Sequence, residues 1–184
     1  GGRLRRLTVP GADLVNVYYL RTMEDATTLR DALSENARLV VIGGGFIGLE
    51  VAASARTLGL DVTVVEATDR LMGRALPQVI GALFEDLHTQ RGVKIVLKQS
   101  VRSIEGTVSA QRVVLDDGRE LPADIVVVGV GISPETELAE QAGLDVDDGI
   151  LVDGSCQASG PDVFAIGDAA RQIDEVTGRR FRFE

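Results

Sequence analysis

The stretch Arg38-Leu-Val-Val-Ile-Gly-Gly-Gly-Phe-Ile-Gly-Leu-Glu50 decides the fold. Its apolar run, Leu39 to Ile42, predicts a buried strand, and Gly43-x-Gly45-x-x-Gly48 follows at once. In this pattern Gly43 permits the tight turn. Gly45 lets the backbone approach a pyrophosphate with no Cβ in the way, and Gly48 lets the next helix pack closely on the strand. Phe46 and Ile47 fill the variable positions and complete the expected cofactor-binding segment. A pyrophosphate would sit on the free N–H groups and positive dipole end of that helix. The helix is expected over Leu49 to Leu58, and a second strand over Asp61-Val-Thr-Val-Val-Glu66. A strand before the motif, a helix after it and an acid at the end of the next strand are the context of a dinucleotide site.

Glu66 refines the ligand. A carboxylate there accepts hydrogen bonds from the adenosine ribose hydroxyls and repels a 2′-phosphate, which favours NAD(H) over NADP(H). Arg70 and Arg74 lie just downstream. An arginine can hold a 2′-phosphate, stack on adenine or reach the pyrophosphate. The carboxylate holds the deciding position.

Working outward, Thr22 to Leu33 reads as a short helix leading into the first strand. Pro77 opens an amphipathic helix in which Val79, Ile80, Leu83, Phe84 and Leu87 recur at helical spacing, with Gly92 at its end. His88 lies beside that stripe and is expected at the surface or its boundary. Val93 to Leu97 is a third strand. Val101 to Ile104, Gln111 to Leu115 and Glu120-Leu121, with a turn at Asp116-Asp117-Gly118, read as an antiparallel meander. Asp124 to Val130 is again continuously apolar after its first residue, as a buried parallel strand requires. The fold class is therefore α/β, a Rossmann-like doubly wound parallel sheet with an antiparallel β-meander before its last strand.

Beyond Pro134 a short helix is expected at Leu138 to Ala142, with short strands at Leu144 and Ile150 to Val152. An apolar strand, Asp162-Val-Phe-Ala-Ile, should end in Gly167-Asp168. Leu14 to Leu20 and Val163 to Ile166 look like strands of another sheet.

Composition narrows the function. The chain has 184 residues, 45% of them hydrophobic, which is ample for a core. A net charge of −9 leaves no basic stripe to neutralise phosphates, which argues against nucleic acid. No apolar run has the length of a membrane span. The opening residues do not read as a signal peptide. The single cysteine, Cys156, cannot form an internal disulfide, which fits a reducing cytoplasm, and it excludes a Cys-x-x-Cys pair in this chain. No metal site and no acid, base or nucleophile for catalysis is expected.

Together Gly43-Gly-Gly-Phe-Ile-Gly-Leu-Glu50, Val65-Glu66, Gly129-Val-Gly131-x-x-Pro134 and Val163-Phe-Ala-Ile-Gly-Asp168 resemble the FAD-dependent pyridine nucleotide reductases. Glu66-Ala-Thr-Asp-Arg-Leu-Met-Gly-Arg74 and Tyr19-Leu-Arg-Thr-Met-Glu-Asp-Ala26 resemble the ferredoxin and rubredoxin reductases, including those serving aromatic-ring dioxygenases and cytochrome P450 systems. The resemblance implies an NAD domain inserted in a discontinuous FAD domain. It divides the chain into an FAD-domain remnant and connector (1–33), an NAD-binding domain (34–135) and a return segment (136–184), an excised piece of a longer enzyme. It implies that Arg74 serves the adenine or phosphate side, and that Gly129 and Gly131 let the backbone come close to the cofactor. Glu50 would help to place the nicotinamide carboxamide, Asp168 would bond the FAD ribitol, and Arg21 would approach the FAD phosphates or ribityl chain. The implied activity is hydride transfer from NADH to FAD, then electron transfer to a ferredoxin or rubredoxin. A flavin disulfide reductase, NADH oxidase or peroxidase would share this fold. A non-catalytic NAD sensor is the alternative of a different class, and the flavin motif at Asp168 speaks against it.

Overall fold

A computed structural model describes residues 1–174 and 176–182. In chain order the elements are β1 (Gly2–Leu4), β2 (Val17–Tyr19), α1 (Met23–Ala32), β3 (Arg38–Ile42), α2 (Phe46–Thr57) and β4 (Asp61–Val65). Next come α3 (Gln78–Gln90), β5 (Lys94–Val96), β6 (Val101–Gly106), β7 (Ala110–Leu115), β8 (Glu120–Pro122), β9 (Ile125–Val128) and β10 (Ile132–Pro134). The last are α4 (Glu137–Gln141), β11 (Ile150–Val152), a 3-10 turn at Gly167–Ala169, β12 (Ala170–Ile173) and β13 (Arg180–Phe181). The chain divides into two compact units, residues 6–131 and residues 1–5 with 132–184.

The larger unit is built on one parallel sheet of order β2-β9-β3-β4-β5. Alternation along each strand sorts its core into two faces. Leu39, Val41, Val62, Val64, Ile125 and Val127 pack with Leu29 of α1, with Leu49, Ala52 and Ala55 of α2, and with Phe84 of α3. Val40, Ile42, Val65, Val126 and Val128 pack instead with Ile104, Val113 and Leu115 of the meander β6-β7-β8. Helices thus cover one face and the antiparallel meander the other, so the strands are apolar on both sides.

β3 leads through α2 to β4 and through α3 to β5, all on one side of β3. The chain then returns by way of the meander to β9 on the other side. The strand order reverses between β3 and β9, and ligands of open α/β sheets bind in the crevice beyond the carboxyl ends of the strands at such a point.

Several expectations are corrected. Leu14 to Leu20 does not build another sheet. Val17–Tyr19 pairs in parallel with β9 as the edge of the central sheet. Asn16 fastens that edge: its side chain donates to the carbonyls of Ala110 and Asp124 and accepts from the Ala110 N–H. The Tyr19 hydroxyl bonds Leu7 and Ala12, and the Arg6 guanidinium lies 4.6 Å from the Tyr19 ring centre. Residues 6–33 therefore share a compact unit with 34–131. α2 begins at Phe46, three residues before the expected start, because Gly45 already stands as its extended N-cap.

The face of α3 also differs. Ile80 and Phe84 are half-buried, but Val79 and Leu83 are 72% and 60% exposed. The helix packs through Gly81, where a side chain would strike the Leu71 carbonyl, and through His88. His88 is buried, not at the surface. Its Nδ1 lies 2.9 Å from the Phe84 carbonyl oxygen and its Nε2 3.2 Å from that of Leu49. It ties α3 to the motif helix and takes no place in the site.

In the smaller unit β1 pairs antiparallel with β10, β11 runs parallel to β12, and β13 is antiparallel to β12. Val163 to Ile166 is not a regular strand. Phe164 makes one isolated bridge to Gln157, and the strand lies further on at β12. The segment at Leu144 is likewise no strand; Val146 makes a single bridge to Ile150.

Candidate dinucleotide-binding site

Two of the motif glycines are required by the fold itself. Gly43 has φ +109° and its Cβ would collide with the Gly129 carbonyl. Its N–H donates to Val65 O at 2.8 Å, and Gly129 N–H donates to Ile42 O at 2.8 Å. The turn is thereby fastened to the neighbouring strand on each side. A Cβ on Gly48 would collide with the Gly43 carbonyl and lie 3.2 Å from Val41 Cγ1. That is the close approach of helix to strand.

Gly45 differs. Its backbone is extended, at φ −87° and ψ −173°, and a Cβ there would meet nothing within 4 Å. Among the described residues no contact calls for glycine at this position. What Gly45 keeps clear is the space in front of α2. That helix has no side-chain cap and no acid in its first turn. Its first hydrogen bond runs from Leu49 N–H to Gly45 O at 3.0 Å, so the Phe46, Ile47 and Gly48 N–H groups precede the helical ladder. α1, by contrast, is closed by a capping box between Thr22 and Asp25. The Asp25 carboxyl is held below its ordinary pKa, mainly by the backbone N–H of Thr22. The residues at α2 therefore fit an anion at the helix end.

Glu66 follows β4 directly, and its carboxylate is fixed across the turn. Oε2 accepts from Gly44 N–H at 2.7 Å. Oε1 accepts from the N–H and the hydroxyl of Thr68, both at 2.8 Å. Gly44 and Glu66 touch closely, since a Cβ on Gly44 would lie 3.2 Å from Glu66 Cβ. Sequence reading missed Thr68; the available signal was a hydroxyl two residues after an acid at a strand end.

Arg70 is turned onto its own loop. Its Nη2 donates to Gly73 O at 3.0 Å and its Nη1 lies 3.5 Å from Asp69. Arg74 is exposed, and its Nη1 would lie 3.9 Å from a Cβ on Gly131. Gly131 has φ +97°. Arg74 from the β4–α3 connection and Gly131 after β9 thus meet at the same end of the sheet. Phe46 and Ile47 are 48% and 39% exposed at the head of α2, and Glu50 is exposed one turn along. Arg21 lies just beyond β2, with its N–H donating to Asp25 Oδ2 at 3.0 Å. Gly43, Gly45, Phe46, Ile47, Gly48, Glu50, Glu66, Arg74, Gly129, Gly131 and Arg21 all belong to the larger unit. Asp168 belongs to the smaller one, in the Gly167–Ala169 turn. Among the described residues no cluster of histidine, cysteine and acids could hold a metal, and no helix is long and apolar enough to cross a membrane.

A glycine turn between β3 and α2, an uncapped helix end and a fixed acid after β4 are the features by which a doubly wound α/β fold can hold a dinucleotide. Residues 1–179 match the pyridine nucleotide-disulphide oxidoreductase family, and the chain belongs to it. It is 44% identical over 184 residues to the ferredoxin–NAD(+) reductase component of the anthranilate 1,2-dioxygenase system of Burkholderia cepacia, covering all of this chain and 45% of that protein. It is 48% identical over 171 residues to the rhodocoxin reductase of Rhodococcus erythropolis, covering 92% of this chain and 40% of that one. The crystal structure of putidaredoxin reductase covalently joined to putidaredoxin superposes with a TM-score of 0.93 at 40% identity, over 100% of this chain and 46% of that one. The chain thus spans less than half the length of these relatives.

Proposed function

We propose that this chain carries the NAD(H)-binding part of a flavoprotein reductase that uses NADH, through FAD, to reduce a ferredoxin or rubredoxin. The observation that carries the reading is the clear space at Gly45, facing an uncapped helix end with the Glu66 carboxylate across the turn. The cofactors supply the hydride and electron chemistry, and the chain supplies binding and orientation. The N–H groups at the head of α2 hold the pyrophosphate. Glu66 accepts the adenosine ribose hydroxyls, and its charge repels a 2′-phosphate. Arg74 closes over the adenine or phosphate side. Gly129 and Gly131 admit the cofactor close to the backbone, and Glu50 orients the nicotinamide carboxamide beyond the exposed Phe46 and Ile47. Asp168 and Arg21 serve the flavin side. The name of the relative at 44% identity, a ferredoxin–NAD(+) reductase component, favours a ferredoxin-type acceptor over a disulfide, oxygen or peroxide substrate.

Calorimetric titration with NADH and NADPH tests the reading. The chain should hold NADH more tightly, and Glu66→Ala should narrow the difference. Equal or reversed affinity for NADPH in the unmodified chain would overturn it.

A further inference from the structure

The Glu66 carboxylate is nearly saturated before any ligand arrives. A carboxylate offers about four acceptor positions, two on each oxygen. Thr68 N–H and Thr68 Oγ–H occupy Oε1, and Gly44 N–H occupies one position of Oε2. One position remains. A ribose brings a 2′- and a 3′-hydroxyl, so a carboxylate that receives both needs a second position. The Gly44 and Thr68 N–H donors belong to the backbone and cannot withdraw without breaking the turn.

The Thr68 hydroxyl can withdraw. It has a single proton and two acceptors within reach, Glu66 Oε1 at 2.8 Å and the Arg70 carbonyl oxygen at 2.9 Å. Rotation about its C–O bond moves the proton from one to the other and leaves every heavy atom in place. The hydroxyl trades a charge-assisted bond for a neutral one, and the ribose hydroxyl that takes the vacated position on the carboxylate restores the charge-assisted bond. Thr68 is exposed, so nothing packed on it resists the turn.

We infer that Thr68 is the positioning residue for nucleotide choice: its hydroxyl holds Glu66 Oε1 in the free protein and turns to the Arg70 carbonyl when the ribose diol arrives. This rests on the reading of Glu66 as the ribose acceptor. In the free protein the hydroxyl keeps the carboxylate in one orientation, so binding does not have to order it. In the complex it releases an acceptor position without loosening the two N–H contacts. A carboxylate kept in place also presents its charge steadily to a 2′-phosphate, so Thr68 acts on selectivity as well as on affinity.

The test compares Thr68→Val and Thr68→Ser in the full 184-residue chain by calorimetry with NADH and NADPH. Valine keeps the shape and the backbone N–H but has no hydroxyl; serine keeps the hydroxyl. Thr68→Val should weaken NADH about three- to tenfold, because binding must then order a carboxylate that the hydroxyl no longer holds, and should leave NADPH unchanged or tighter. Thr68→Ser should restore NADH binding to within about twofold. Placed on Glu66→Ala, Thr68→Val should have no further effect, whereas a merely structural role would carry through. Undiminished NADH affinity in Thr68→Val, the same loss with Glu66→Ala already present, or failure of serine to restore it would each overturn the role of Thr68. Absence of any NADH preference in the unmodified chain would overturn the reading of Glu66 and this inference with it.

Discussion

Replacing Gly45 and Gly48 by alanine separates what the fold needs from what the ligand needs. The two positions are three residues apart in one motif, yet their surroundings are opposite. At Gly48 the new methyl would collide with the Gly43 carbonyl, and Val41 Cγ1 stands 3.2 Å away. Backbone on one side and a packed strand on the other leave little to yield. Such overpacking costs about 1–3 kcal/mol. At roughly 3 °C per kcal/mol for a unit of this size, the melting temperature should fall by about 3–9 °C. At Gly45 the backbone is already extended and a Cβ meets nothing within 4 Å. Alanine there gains about 0.4–1 kcal/mol by restricting the unfolded chain, against up to about 1 kcal/mol for a poorer N-cap. The melting temperature should stay within about 3 °C of the unmodified chain. In the proposed site a pyrophosphate approaches at this methyl, so NADH binding should weaken by about tenfold or more, at the cost of one or more hydrogen bonds to a charged group. Thermal unfolding by circular dichroism and calorimetric titration read both quantities on the same preparations. A Gly45→Ala protein that melts as early as Gly48→Ala, or that keeps its NADH affinity within threefold, would refute the reasoning.

Further expectations concern stability. Thr22→Ala removes the capping box of α1 and should cost about 1 kcal/mol, read by urea unfolding, with faster amide exchange at Glu24 and Asp25. Asp124 accepts from the backbone N–H, Nε and Nη2 of Arg38, which hold its carboxyl at about 2, below the ordinary 3.8. A depressed carboxyl stabilises the fold above its unfolded pKa and loses that contribution as the pH falls from about 4 towards 2. Asp124→Asn should therefore lower the melting temperature at pH 7 and much less near pH 2; an equal decrement at both would contradict the assignment. In hydrogen exchange, Val17–Tyr19 should be better protected than residues 163–166, since only the former segment lies in a ladder of the central sheet. Equal protection would contradict the pairing.

The central strands and the motif were legible because both are local signals. Leu39 to Ile42 and Ile125 to Val128 are continuously apolar, which only a strand covered on both faces requires. The Gly43–Gly48 spacing specifies its own turn. The acid at Glu66 was legible for the same reason, since it follows its strand directly. What the sequence hid depends on partners far along the chain. Val17–Tyr19 is an ordinary short apolar run, and nothing in it says that its neighbour is β9, more than a hundred residues later. Val79, Leu83 and Leu87 continue the helical period, yet the helix buries Gly81 and His88 and packs Phe84 on the core. A period tells that a stripe exists but not how much of its width the sheet covers. His88 reads as a surface residue until the Phe84 and Leu49 carbonyls are placed against its ring. Thr68 escaped because its bonds to Glu66 depend on the conformation of one loop.

A crystal structure of the 184-residue chain with NAD+ tests the central claim most directly. The account predicts the pyrophosphate over Gly45, within hydrogen-bonding distance of N–H groups at the head of α2, and the adenosine ribose hydroxyls on the Glu66 carboxylate. A dinucleotide seated elsewhere, for instance in the open depression lined by Pro10, Leu14, Ile104 and Arg112, or one whose ribose avoids Glu66, would contradict it.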